Sequence, residues 1–190
     1  MNENESNTSA VVHNIRAAKR AVSTVKTTLG PMGMDKMMVD GGGNVIVTND
    51  GATILQELDI SHPAARMLVE AANTQESMCY DGTTSTVVLA GELLGNSELL
   101  FSKGLHANII CRGYRKASNW AVDYIKSELT LDAEEFLSDI ARTSITGKSL
   151  ESSISHVSNL CVDAVKTAGG DYDRIRVLCQ PGGGLDDSSC

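Results

Sequence analysis

The sequence predicts a mainly α-helical fold that carries one small β-hairpin. Three observations lead there. Apolar residues recur at helical spacing through most of the chain, beginning with Val11, Ile15, Ala18, Val22, Val25 and Leu29. Glycine, proline and short polar residues punctuate these stretches where helices start and stop. Two β-rich runs, Met37–Val39 and Val45–Thr48, flank the glycine-rich turn Asp40-Gly41-Gly42-Gly43-Asn44.

The chain of 190 residues has room for one large domain or two small ones. Aromatic residues make up only 4%, so the core must be built from Val, Leu, Ile, Ala and Met. A net charge of -8 argues against a nucleic-acid backbone as partner. The cysteines (Cys79, Cys111, Cys161, Cys179, Cys190) are scattered, odd in number and never in a C-x-x-C pair. That pattern fits reduced thiols in a cytoplasmic protein better than disulfides or a zinc site. No run approaches the ~20 apolar residues of a membrane span. Residues 1–10 are polar, lack a hydrophobic segment and read as a disordered tail, neither signal nor transit peptide.

Taken in order, the first helix follows the Val11–Leu29 stripe and stops at Gly30-Pro31. Arg16, Lys19, Arg20 and Lys26 lie off that stripe and read as a solvated face. After the hairpin, Thr48-Asn49-Asp50-Gly51 opens a second helix over Ala52–Leu58, with Asp50 as an N-cap carboxylate. Ser61-His62-Pro63 opens a third, whose apolar side is read as Ala64, Met67, Leu68, Ala71 and Ala72; His62 reads as a loop residue.

The fourth helix follows Cys79-Tyr80-Asp81-Gly82-Thr83-Thr84-Ser85-Thr86 and closes at Lys103-Gly104, with Asp81 read as its N-cap. Its first turn is made of mediocre helix formers. They share small size and hydroxyl groups, at the place where a helix offers unpaired N–H groups and its positive dipole end, which is the chemistry a phosphate needs. A fifth helix, Asn108–Glu128, is predicted to turn Ile110, Tyr114, Ala117, Ala121, Tyr124 and Ile125 inward, its aromatic residues packing. Asp132 with Glu135 reads as a capping box. Another helix spans Leu150–Val165 and ends at Gly169-Gly170; Ile175–Leu178 reads as a strand.

Two phosphate-binding patterns compete. Gly147-Lys148-Ser149 invites a P-loop reading, but the first glycine of that motif would fall on Arg142, and a helix rather than a strand precedes it. The other pattern uses three separate glycine-bearing bends: Leu29-Gly30-Pro31, Asn49-Asp50-Gly51, and Asp81 through Ser85. Brought together, one acid would bind Mg²⁺ and the other would orient a water toward a γ-phosphate.

Four blocks carry a family resemblance: Leu29-Gly30-Pro31-Met32-Gly33-Met34-Asp35-Lys36-Met37, Val47–Leu55, His62–Glu70 and Asp81–Ser85. In order and spacing they closely resemble the group II chaperonins, the family of the archaeal thermosome and the eukaryotic cytosolic chaperonin TRiC. The likeness runs from about Asn14 onward and fades after Gly147.

The resemblance implies a double ring whose subunits have an equatorial ATPase domain, an intermediate hinge and an apical domain that binds unfolded clients. Residues 11–130 would be the first half of the equatorial domain and 131–190 the outgoing part of the intermediate domain. Leu29, Gly30, Pro31, Asp50, Gly51, Gly82, Thr83, Thr84 and Ser85 would bind ATP, Asp81 would hold Mg²⁺, and Asp50 would position the attacking water. Thr143–Lys148, including Ser144 and Lys148, resembles a nucleotide-facing loop of the family. Partners implied are other chaperonin subunits and unfolded proteins, with no nucleic acid and no membrane.

The chain departs from the family pattern at Tyr80, where glycine is usual, and at Met32, where lysine is frequent. It also ends about where an apical domain would begin, without the second catalytic aspartate and half of the nucleotide site. The expected activity is therefore an ATP-dependent folding subunit, or a chaperonin-like assembly protein without turnover. Half an equatorial core is also expected to leave the first and fourth helices with open apolar faces. At ~25 cal/mol per Å² a few hundred Å² there amounts to on the order of 10 kcal/mol, so a covering partner is expected.

Overall fold

The computed structural model describes residues 3–39, 41–58, 60–147 and 150–190. Contacts divide the chain into two units, with the break between Glu128 and Leu129.

The first unit contains α1 (Glu3–Lys26), β1 (Lys36–Val39), β2 (Val45–Thr48), α2 (Gly51–Glu57), α3 (Pro63–Cys79), α4 (Thr83–Ser102) and α5 (Ala107–Tyr124). The backbone is helical from Glu3, inside the stretch that composition marks as a tail. On α1, Ile15, Ala18, Val22 and Val25 are buried. Leu29 lies beyond the helix end at Lys26 and is largely exposed. The core joins Ala18, Val22 and Val25 to Ile54 and Leu55 of α2, Leu68 and Ala72 of α3, and Val87 of α4.

α1 and α4 pack antiparallel. Arg16 pairs with Glu98 at 3.0 Å, the stem of Lys19 lies along Gly95, Val22 lies on Gly91, and Lys26 pairs with Glu92. A Cβ on Gly91 would stand 2.6 Å from a Val22 methyl, so glycine is what lets the two backbones approach. Three of the four basic side chains read as a solvated face thus reach acids on α4 while remaining exposed. Such exposed pairs are screened by solvent and salt, so they fix orientation more than stability. The open faces expected on both helices appear on only one: α1 is closed over by its neighbours, whereas α4 leaves Leu89, Leu93 and Leu99 exposed.

The inward faces predicted for two helices need correction. α3 turns Ala65, Leu68 and Ala72 inward and leaves Met67 exposed. In so alanine-rich a helix the apolar stripe has little contrast, and its centre lies about one residue from the expected one. α5 buries only Ile110, and Tyr114 donates its hydroxyl to the Leu93 carbonyl at 2.7 Å. Farther along, Ala117, Tyr124 and Ile125 are exposed, and Trp120 stacks on Tyr124 with ring centroids 5.6 Å apart. Among the described residues the second half of α5 stays largely exposed, and its aromatics pack on each other rather than into a core. A π-helical turn, Ile125–Leu129, follows it.

The hairpin forms as predicted, with Met37 opposite Val47 and Val39 opposite Val45. Those four side chains share one exposed face, while Met38 packs against the core. Asp40 lies outside the described residues.

The second unit pairs α6 (Leu137–Ile145) with α7 (Ile154–Thr167), burying Ser158 and Val162. The capping box is not made. Asp132 Oδ1 accepts from the Glu134 amide at 3.0 Å, and α6 starts later, after Phe136. No strand forms over Ile175–Leu178 among the described residues; the segment lacks a partner ladder, and Val177 and Leu178 are exposed. The tail returns instead, with the Ser188 carbonyl 2.9 Å from His156 Nε2.

Candidate functional site

The start of α4 differs from the other long helix starts of its unit. α2 is capped by Asp50, whose Oδ2 accepts from the Thr53 amide at 2.8 Å and from the Thr53 hydroxyl at 2.7 Å. α3 and α5 are capped by imidazoles: His62 Nδ1 accepts from Ala64 N–H and His106 Nδ1 from Asn108 N–H. His62 is thus a cap residue, in ring contact with His13, rather than a plain loop residue.

At α4 the cap position is Gly82, with φ +78°, and no side chain caps the helix. Asp81, expected as the cap, instead takes the amide of its neighbour Gly82 on Oδ1 at 2.7 Å. The reason is geometric. Tyr80 (φ +55°) and Gly82 (φ +78°) are both left-handed, and this double reversal carries the chain from α3 to α4 in three residues. It also turns Asp81 away from the amides it would have capped. The first-turn N–H groups of α4 therefore have no side-chain partner, and Thr84 and Ser85 hydroxyls stand beside them.

Two other bends lie close to this start. A Cβ on Gly51 would come within 2.3 Å of Thr84 Oγ1, so the N-termini of α2 and α4 touch. The antiparallel pairing of α1 with α4 puts the bend after Lys26 at the end where α4 begins. That bend is tightly made: Gly30 has φ +88°, Gly33 donates its amide to the Gly30 carbonyl at 2.9 Å, and Met34 to the Thr27 carbonyl at 2.9 Å. Leu29–Pro31, Asp50–Gly51 and Asp81–Ser85 thus share one end of the first unit. Ser144 lies in α6 of the second unit, half-buried, and Lys148 lies outside the described residues.

Thr83 is distinct from its neighbours. It is buried, and its hydroxyl donates to Glu76 Oε2 at 2.8 Å. Gln75 Nε2 donates to the Asp81 carbonyl at 2.8 Å. Both contacts escape a reading of the sequence, since they close across a loop whose left-handed turns no local pattern announces.

The donor set fits a phosphate: uncapped helix amides, adjacent hydroxyls and a glycine at the mouth. Among the described residues no group of three or more His, Cys, Asp or Glu side chains converges, and Asp81 is an exposed carboxylate at the mouth of this helix start. Concavities also lie away from the bends. One of about 840 Å³ runs along Leu55–Leu58, Arg66 and Glu70, and another of about 510 Å³ along His13, Arg20 and His62. The bends need no such groove, because helix amides hold an anion without an enclosing cavity.

Among the described residues no helix is long and apolar enough to cross a membrane, and all five cysteines are unpaired and exposed. The model of the TCP-1/cpn60 chaperonin family matches residues 22–190. A thermosome subunit of Methanopyrus kandleri is 49% identical over 186 residues, covering 92% of this chain and 34% of that protein. Thermosome subunit alpha of Archaeoglobus fulgidus is 46% identical with the same coverage. Thermosome subunit beta of Methanothermobacter thermautotrophicus is 47% identical over 182 residues, covering 93% of this chain and 34% of that protein. The chain thus spans about a third of the length of these relatives.

Proposed function

The chain belongs to the TCP-1/cpn60 chaperonin family, and on that premise we propose that it is part of a group II chaperonin subunit that binds MgATP and serves ATP-driven protein folding. The observation that carries this reading is the gathering of three glycine-bearing bends at one end of the α1–α4 pair, around a helix start that no side chain caps.

In this reading the amides of Thr83, Thr84 and Ser85 and the hydroxyls of Thr84 and Ser85 hold phosphate oxygens. Leu29, Gly30 and Pro31 border the nucleotide on the α1 side. Asp81 holds Mg²⁺, which supplies charge neutralisation on those oxygens. Asp50 is fixed by its two bonds from Thr53 through Oδ2. Its Oδ1 is the oxygen that would accept from the attacking water. Ser144, in α6, and Lys148 are assigned a supporting role toward the nucleotide. Other subunits of a ring and unfolded chains are the proposed partners, in the cytoplasm.

The test is an equilibrium titration of the chain with ATP, with and without Mg²⁺. Binding strengthened by Mg²⁺ is expected, and Asp81→Ala should abolish that strengthening, a loss of at least about tenfold or ~1.4 kcal/mol. Absence of binding at any ATP level would refute the assignment for this chain. An unchanged Mg²⁺ dependence in Asp81→Ala would remove Asp81 as the ligand. Loss of affinity in Lys148→Ala with Asp81→Ala unaffected would transfer the site to a P-loop.

A second reading, assembly without turnover, is favoured by Tyr80, whose side chain is exposed directly before Asp81. It predicts a particle of ring mass in solution and bound nucleotide that releases no phosphate.

A further inference from the structure

The link between α3 and α4 is an expensive conformation held from outside itself. Tyr80 occupies the left-handed region at φ +55°, ψ +10°, and it is the one non-glycine residue to do so among the described residues. Gly82 follows at φ +78°, with Asp81 between them. A bulky residue in that region persists only where its surroundings over-determine it. Here the surroundings are two consecutive side chains in the last turn of α3. Gln75 reaches forward to the Asp81 carbonyl, and Glu76 reaches forward to the buried Thr83 hydroxyl. A Cβ on Gly82 would sit 3.3 Å from Gln75 Nε2, so the amide also packs against the glycine.

We propose that Gln75 and Glu76 are positioning residues for the phosphate-binding start of α4, acting through Asp81 and Thr83 rather than on the nucleotide. The inference rests on the MgATP reading for its functional meaning, but the brace is a property of the nucleotide-free chain. Gln75 fixes the peptide between Asp81 and Gly82, and with it the direction of the Gly82 and Thr83 amides. Glu76 holds Thr83 inward, which leaves Thr84 and Ser85 as the hydroxyls available to a phosphate. A carboxylate so close to an anion site is unfavourable for binding in itself. Its presence is explained by the Thr83 hydroxyl, which needs an acceptor because it is buried.

Two measurements test this on the full chain. The first is amide hydrogen exchange of the nucleotide-free protein, resolved to Gly82 and Thr86, whose amides donate to Asp81 Oδ1 and the Gly82 carbonyl. Gln75→Ala is expected to speed exchange there about fivefold to tenfold, the scale of one lost hydrogen bond, with the amides of α1 unchanged. Equal speeding across α1 would show general destabilisation, and no speeding anywhere would show that the contact holds nothing; either result overturns the inference.

The second is MgADP affinity. Gln75→Ala should weaken it by a similar factor. Glu76→Gln keeps an oxygen for Thr83 and removes the charge, so it should bind at least as tightly as the parent. Glu76→Ala should bind more weakly. Weakened binding in Glu76→Gln equal to that in Glu76→Ala would mean that the charge itself is used, and would overturn the positioning role. A parent chain with no affinity for MgADP would count against the MgATP reading, while the exchange result would still decide the brace.

Discussion

Two helices of this chain begin with the same pair of letters and end up with different chemistry. Asp50-Gly51 opens α2 and Asp81-Gly82 opens α4. At α2 the aspartate caps the helix through Thr53, and Gly51 is already helical. At α4 the glycine is the cap residue in a left-handed turn, and the aspartate stands one position outside, its carboxylate accepting from the Gly82 amide. The two glycines are therefore there for different reasons: Gly51 because Thr84 leaves no room for a Cβ, Gly82 because the backbone turns the wrong way for one. An acid followed by glycine does not specify a capped helix. What precedes it decides, an extended Thr48-Asn49 in one case and a tight reversal from α3 in the other.

The largest effect should come from the glycines. Gly51→Val is expected to destabilise the chain by about 3 kcal/mol, since an atom 2.3 Å from Thr84 forces two helix starts apart. Gly82→Ala would bring a Cβ to 3.3 Å from the Gln75 amide, which can shift, and meets the wrong φ; it should cost about 1–2 kcal/mol. Gly82→Asn, whose side chain tolerates the left-handed region, should cost less. Urea unfolding measures all three, and equal costs at 51 and 82 would erase the distinction.

The aspartates should separate next. Asp50→Ala removes a cap and should cost about 1 kcal/mol. Asp81→Ala caps nothing and should change the stability of the nucleotide-free chain by less than about 0.5 kcal/mol. A cost at Asp81 equal to that at Asp50 would mean that it does cap α4 in solution.

The smallest effect concerns the ion pair at the same end of the helix pair. The hydrogen bond and charge of Lys26 hold Glu92 below the usual glutamate value of 4.5. A lowered folded value means that the contribution is present above about pH 4.5 and is lost as pH falls through the lower folded value. Glu92→Gln should therefore lower Tm slightly at pH 7 and leave it unchanged near pH 2. A difference that persists in acid would show that the pair is not its source.

Much of this was legible in the sequence. The α1 stripe declared itself because Ile15, Val22 and Val25 contrast sharply with the charged residues between them. The hairpin followed from its glycines. The inward side of α3 was harder, since alanine marks a face weakly, and Met67 drew the expected face toward solvent. Tyr124 is predicted to face inward and Trp120 to pack, and nothing local reveals that among the described residues both stay exposed and stack on each other. Ile175–Leu178 has strand composition, but a strand is a relation between two segments, and its partner is not among the described residues. At the candidate site the sequence supplied the three bends and their acids. It hid the Gln75 and Glu76 contacts, which exist only because Tyr80 and Gly82 turn left-handed.

The contact of Gly51 with Thr84 leaves no backlash between two helix starts. The seam continues through the chain itself, since the Asp50 amide donates to Thr48 Oγ1 at 3.1 Å at the end of β2. Four residues, Thr48 to Gly51, thereby join the first turn of α4 to the root of the hairpin and the exposed Met37, Val39, Val45 and Val47 face that it carries.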